Sequence, residues 1–194
     1  MTRPTPEPAE IIQPQFFCRS RKFSFAVNRY RLPNGVVADL GYIAHPGGAV
    51  AVPVTNTGEF VLVRQYRFAA QGRLLEFPAG TLEPNEPADV TIKRELEEET
   101  GYRALAWETL GQFYVAPGYS DEIIYAFLAQ KLEKLTTPPP QDEDEDIEVV
   151  LMSPEALEDA IYAGEIADAK TISAYFLTRQ HNLLAKDEVN SSED

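Results

Sequence analysis

Glu95, Glu98 and Glu99 stand at i, i+3 and i+4, with Arg94 directly before them. On a helix these positions share a face, so the three carboxylates converge. In isolation that costs energy: like charges at this spacing repel, and Glu99 near a helix C-terminus opposes the macrodipole. Two readings account for such a cluster. One is a solvated acidic face held by ion pairs, for example Arg94 with Glu98. The other is a site for a hard divalent cation, Mg²⁺ or alternatively Mn²⁺, which prefers carboxylate oxygens. With arginines nearby, the second reading points to phosphoryl chemistry, which needs charge neutralisation, a positioned water and a proton acceptor. Gly80 and Glu86 upstream and Gly101 downstream favour this second reading.

The elements around the cluster are legible. Pro87 suits the first turn of a helix and Gly101 the left-handed position past its end. Between them Ala88, Ile92 and Leu96 repeat every four residues and give a narrow stripe to bury. Upstream, Leu74 to Gly80 leads into this segment, and Glu76 between Leu75 and Phe77 suggests burial or substrate binding. Gly80 permits close backbone approach, which leaves the Ala79 carbonyl available as a neutral metal ligand. Arg64-Gln65-Tyr66-Arg67-Phe68 is either a strand end with solvated arginines or a source of multidentate donors for a diphosphate. The acidic run Asp142 to Asp146 is either a solvated connector or the source of a mobile carboxylate.

The remaining chain supplies the frame. Residues 1–15, rich in proline, are expected to form a flexible arm. Residues 16–44 are expected to form an N-terminal β-hairpin, turning at Pro33-Asn34-Gly35. Residues 45–185 form the expected catalytic domain and 186–194 a polar tail. Within that domain strands are expected near Ala49–Val54, Phe60–Val63, Ala106–Tyr114, Ile123–Lys131 and Ile147–Met152. Two helices follow, one capped by Ser153 and ending at Gly164, the other spanning roughly Ala167 to Leu184 with Ile172, Tyr175, Phe176 and Leu183 inward.

The totals narrow the function. A net charge of −14 and a pI near 4.6 disfavour nucleic acid and anionic membranes as partners. One cysteine cannot form an intrachain disulfide or a multi-cysteine zinc site, and no apolar run suits a bilayer. A soluble, cytoplasmic protein is expected. Two histidines, His45 and His181, do not make an HEXXH motif, and no Walker A sequence is present.

The stretch from Gly80 to Tyr102 resembles the Nudix box, GX5EX7REUXEEXGU, where U is aliphatic. Gly80, Glu86, Arg94, Glu95, Glu98, Glu99 and Gly101 match its fixed letters and Leu96 its first U. Tyr102 departs at the final U. The resemblance extends from about Phe23 to Leu184 and is similar to the ADP-ribose pyrophosphatase branch. It is carried by QYRFAA, LLEFPAG, APGYSDE with Pro117 sixteen residues after Gly101, DEDEDI and AGEIADAKTISA.

That resemblance implies an α/β class fold, an α/β/α sandwich around a mixed sheet with an N-terminal antiparallel sheet that joins two subunits as a homodimer. It implies Glu95, Glu99 and the Ala79 carbonyl as metal ligands, with Glu145 as a further one. Glu98 would support the site, Arg94 would orient the glutamates, and Glu86 would hold loop to helix. Glu143 would be the catalytic base. Arg67 would contact the diphosphate, Phe23 would stack on adenine, Glu76 would line the substrate site, and Pro117 would mark ADP-ribose specificity. The implied reaction is Mg²⁺-dependent cleavage of ADP-ribose to AMP and ribose 5-phosphate. Another nucleoside diphosphate sugar is the nearest alternative substrate, and a non-catalytic nucleotide sensor the more distant reading.

Overall fold

The structure is a computed structural model that describes residues 6–140 and 146–190, with 181–190 described by backbone alone. Its centre is β4 (Gly48–Pro53), buried at every position. A strand buried on both faces must be apolar on both, and β4 divides its side chains by size. Ala49 and Ala51 join one core with Ile92 and Leu96, whereas Val50 and Val52 join the other with Leu157, Ala174 and Tyr175. Two cores on opposite faces of one strand define a sandwich.

The first face is covered by α1 (Ala88–Thr100) and the second by α2 (Pro154–Ala163) with α3 (Ala169–Asn190). Beside β4 run β7 (Ala79–Thr81), antiparallel, and β9 (Ile123–Lys134), parallel, with β8 (Tyr102–Tyr114) outside β9 in the order β7-β4-β9-β8. A second sheet takes the order β10-β5-β6, from β5 (Phe60–Arg67), β6 (Gly72–Glu76) and β10 (Ile147–Met152). The mixed α/β sandwich expected from the sequence is therefore the fold.

The helix ends follow the local chemistry. Pro87 sits one residue earlier than a first-turn proline, in an extended cap position, and Gly101 takes φ 70° past the last turn. Ser153 Oγ accepts the Ala156 N–H at 3.2 Å, Pro154 opens α2, and Gly164 closes it at φ 77°. α3 runs past the expected end, so residues 186–190 are helix and not tail. Ile172 and Tyr175 face the core as expected, but Phe176 is exposed because it falls on the opposite side of the helix. Leu183 lies among the residues described by backbone alone.

The N-terminal region needs correction. The flexible arm expected over residues 1–15 is instead partly a strand, β1 (Glu10–Arg19), which pairs antiparallel with β2 (Ser24–Arg31). Proline content misled the reading: Pro14 stands beside a register shift at an edge, where its missing N–H is tolerated. With β3 (Val37–Ala44) these strands form a three-stranded sheet, one strand more than the expected hairpin. Ile11, Phe16 and Phe17 of β1 are exposed. The sheet is tied to the sandwich where Tyr42 donates its hydroxyl to Asp121 and Asp121 accepts the His45 N–H at 2.8 Å. Burial and the Asp121 bond push the Tyr42 hydroxyl up to about 12. Among the described residues no helix is long and apolar enough to cross a membrane.

Candidate active site

The acidic face of α1 meets β7 across Gly80. An added Cβ at Gly80 would lie 2.2 Å from Glu95 Oε1, so only a glycine admits this approach. One residue earlier, the Ala79 N–H donates to Glu99 Oε2 at 3.0 Å. Glu99 is 2% exposed, a burial a carboxylate tolerates only with hydrogen-bond donors around it.

Arg94 is the hub of the face. Its Nη1 donates to Glu95 Oε1 at 2.9 Å and Glu98 Oε2 at 3.1 Å, and its Nη2 to Glu86 Oε2 at 3.3 Å. Burial works against the guanidinium charge, but the carboxylates, Glu95 foremost, more than offset it and raise the Arg94 pKa. Glu86 also accepts from Thr91 Oγ1 at 2.8 Å, and this bond before all others holds its carboxyl below the ordinary range. Glu86 thus joins the loop to the helix. Among the described residues, no three His, Cys, Asp or Glu side chains are gathered as a metal centre. Of the three carboxylates read as convergent, Glu95 and Glu98 meet on Arg94, whereas Glu99 turns to the Ala79 N–H.

A cavity of about 770 Å³ opens beside this face. Glu95, Glu99, Arg94, Ala79 and Gly80 form one wall, and Arg67, Gln65 and Lys170 form part of another. Five lining side chains are basic and five acidic. In a chain with 17 basic and 31 acidic residues, that parity concentrates positive charge at the cavity.

The expected site residues divide. Arg67, Ala79, Glu95, Glu99 and Arg94 are brought to the cavity. Glu98 stays on the Arg94 hub and does not line it. Glu76 is 1% exposed and lies behind the wall: Arg67 Nη2 donates to it at 2.6 Å and Lys170 Nζ at 2.5 Å. Burial alone would raise the Glu76 pKa, yet the Arg67 and Lys170 contacts prevail and lower it. Phe23 and Pro117 are both exposed, and neither lines the cavity of this chain. Glu143 and Glu145 lie outside the described residues.

Sequence reasoning missed Gln65, Asp168 and Lys170 as site residues. The available signal was the spacing of Asp168, Lys170 and Thr171. Asp168 Oδ2 accepts both the Thr171 N–H at 2.9 Å and its hydroxyl at 2.6 Å, which is a helix cap. Thr171 Oγ1 in turn accepts the Phe77 N–H at 2.9 Å and registers α3 against the strand carrying Glu76.

The NUDIX domain model matches residues 45–175 of this chain. The chain belongs to the Nudix hydrolase family. It is similar to an ADP-ribose pyrophosphatase of Bacillus subtilis, 38% identical over 76% of this chain and 80% of the relative. A methanol dehydrogenase activator of Bacillus methanolicus is 36% identical over 79% of this chain and 83% of its own. A GDP-mannose pyrophosphatase of Cronobacter sakazakii is 39% identical over 65% of this chain and 69% of its own. Among solved structures, an ADP compounds hydrolase superposes with TM-score 0.77, covering 92% of this chain and 96% of that one. At 23% identity that likeness concerns the fold.

Proposed function

We propose that this Nudix hydrolase cleaves the diphosphate of ADP-ribose with water, giving AMP and ribose 5-phosphate in a Mg²⁺-dependent reaction. The observation that carries the reading is the cavity edged by Glu95 and Glu99 and supplied with basic side chains from separate segments. A diphosphate ester needs both features: donors for its oxygens and carboxylates for a cation that accompanies it.

The donor set fits a hard cation, since Glu95, Glu99 and the Ala79 carbonyl offer oxygen alone. Mg²⁺, held by these groups with Glu145, would neutralise phosphate charge and lower the pKa of an attacking water. Gly80 lets Glu95 reach the cavity edge, and Arg94 holds Glu95, Glu98 and Glu86 in one array. Arg67 faces the diphosphate, and the Glu143 carboxylate would take the proton of water as the new P–O bond forms and the bridging one breaks.

A second substrate is favoured by one observation, the likeness to a GDP-mannose pyrophosphatase. Hydrolysis of ADP-ribose, GDP-mannose and related sugar nucleotides, followed by release of the nucleoside monophosphate, separates the two. Preferred AMP release supports ADP-ribose; preferred GMP release keeps the mechanism and replaces the substrate. Tight binding without turnover would make the protein a sensor. The exposed apolar residues of β1 fit pairing with a second copy, and a monomeric mass in sedimentation would refute that arrangement.

A further inference from the structure

Two of the cations around the cavity come from outside the sandwich. Arg21 and Lys22 stand at the turn between β1 and β2, and both line the cavity. Among the described residues, β1, β2 and β3 form ladders only with one another. Where these two cations lie therefore depends on how the N-terminal sheet is held.

The hold is a short crossing between the end of β3 and the loop before β9. Ile43 bridges Ser120 in parallel. The Ile43 N–H donates to the Tyr119 carbonyl at 2.8 Å, and the Asp121 N–H to the Ile43 carbonyl at 3.3 Å. The Asp121 carboxylate closes the crossing with both oxygens. Its Oδ2 accepts the Tyr42 hydroxyl and its Oδ1 the His45 N–H at 2.8 Å. Asp121 does not line the cavity, but the segments it joins do, through Pro46 and Gly48 on one side and Val115 and Glu122 on the other.

We infer that Asp121 is a positioning residue for substrate affinity, which clasps the N-terminal sheet to the sandwich and so keeps Arg21 and Lys22 at the cavity. The inference rests on the proposed diphosphate substrate. In a chain of net charge −14, two cations held at a cavity change the local field that a diphosphate meets. Holding them there before the ligand arrives removes an ordering cost from binding.

The test compares wild type, Asp121→Ala, the pair Arg21→Gln with Lys22→Gln, and all three substitutions together. ADP-ribose kinetics, calorimetric binding of inorganic pyrophosphate and thermal midpoints are measured on each. Asp121→Ala is expected to raise KM and the pyrophosphate Kd about fivefold, with a smaller change in kcat. Amide hydrogen exchange over residues 42–47 should quicken in the same variant. The combined variant should bind no worse than the pair, because Asp121 acts through those two cations. A folded Asp121→Ala protein with wild-type KM and affinity overturns the inference, and so does a combined loss equal to the sum of the separate ones. If Asp121→Ala does not fold, Tyr42→Phe removes one arm of the clasp: a raised pyrophosphate Kd supports the inference, and an unchanged one refutes it. Wild type that binds pyrophosphate in an Asp121-dependent way yet leaves ADP-ribose intact would refute the proposed substrate and keep the clasp.

Discussion

Gly80 and Glu95 are in such close approach that a single methyl group cannot be placed between them: a Cβ at position 80 would overlap Glu95 Cγ, Cδ and Oε1 at 2.2–2.3 Å. The strand that leads toward the acidic helix and the carboxylate at the cavity edge are therefore one geometric unit. Backbone freedom is not the reason for the glycine; side-chain volume is.

Gly80→Ala is accordingly expected to move the Glu95 carboxylate and lower kcat at least tenfold at saturating Mg²⁺. The flexible end of Glu95 can swing aside, so the thermal midpoint should fall by only a few degrees. Steady-state kinetics with calorimetry checks this; unchanged kcat would refute the assigned role of Glu95.

Glu99→Gln keeps a carbonyl oxygen for the Ala79 N–H and removes the charge. Turnover is expected to fall at least a hundredfold while the fold survives. Mn²⁺ binding followed by electron paramagnetic resonance should weaken in parallel. Undiminished Mn²⁺ binding would remove Glu99 from the ligand set.

Arg94→Gln leaves Glu86, Glu95 and Glu98 without their shared counter-ion. Because Arg94 is partly solvated, the loss of stability in metal-free buffer should be modest, about 1 kcal/mol. A divalent cation then gains more by binding, so added Mg²⁺ should raise the variant's thermal midpoint more than that of wild type. Equal shifts would mean that the cation does not share these carboxylates with Arg94.

Glu76 gives a pH prediction with a definite sign. Its folded-state pKa lies below the ordinary 4.5, with the Arg67 and Lys170 contacts overcoming the effect of burial. A depressed carboxyl pKa contributes stability above the unfolded value and loses it as pH falls through the folded one. The stability difference between wild type and Glu76→Gln should therefore be constant near neutrality and shrink on acidification below about pH 4.5. Denaturant titrations at several pH values measure it, and a difference that grows with acid would contradict the pairing.

What the sequence disclosed follows from distance along the chain. From Gly80 to Gly101 every determinant is local: a stripe at four-residue spacing, a left-handed stop and carboxylates on one face. Periodicity reports such arrangements directly. β1 left no trace of this kind, because all ten of its residues are exposed and apolar–polar alternation had nothing to mark. Lys170 was equally silent. It meets Glu76 across 94 residues, and neither residue alone distinguishes a site from a surface. Phe176 shows the reverse: its aromatic side chain suggests core, and the helix turns it outward.

The tie from Thr171 to the Phe77 N–H has a consequence for synthesis on the ribosome. It spans 94 residues, and the Lys170 bond to Glu76 spans as many. A nascent chain can present the whole acidic helix together with Arg67 and Gln65 while Asp168 and Lys170 are still untranslated. Contacts this remote form late, after their loop-closure entropy has been met. A translation arrest between α1 and α3 would thus release a polypeptide bearing its glutamates and Arg67, but with Glu76 lacking one of its two cations and the Phe77 N–H lacking its acceptor.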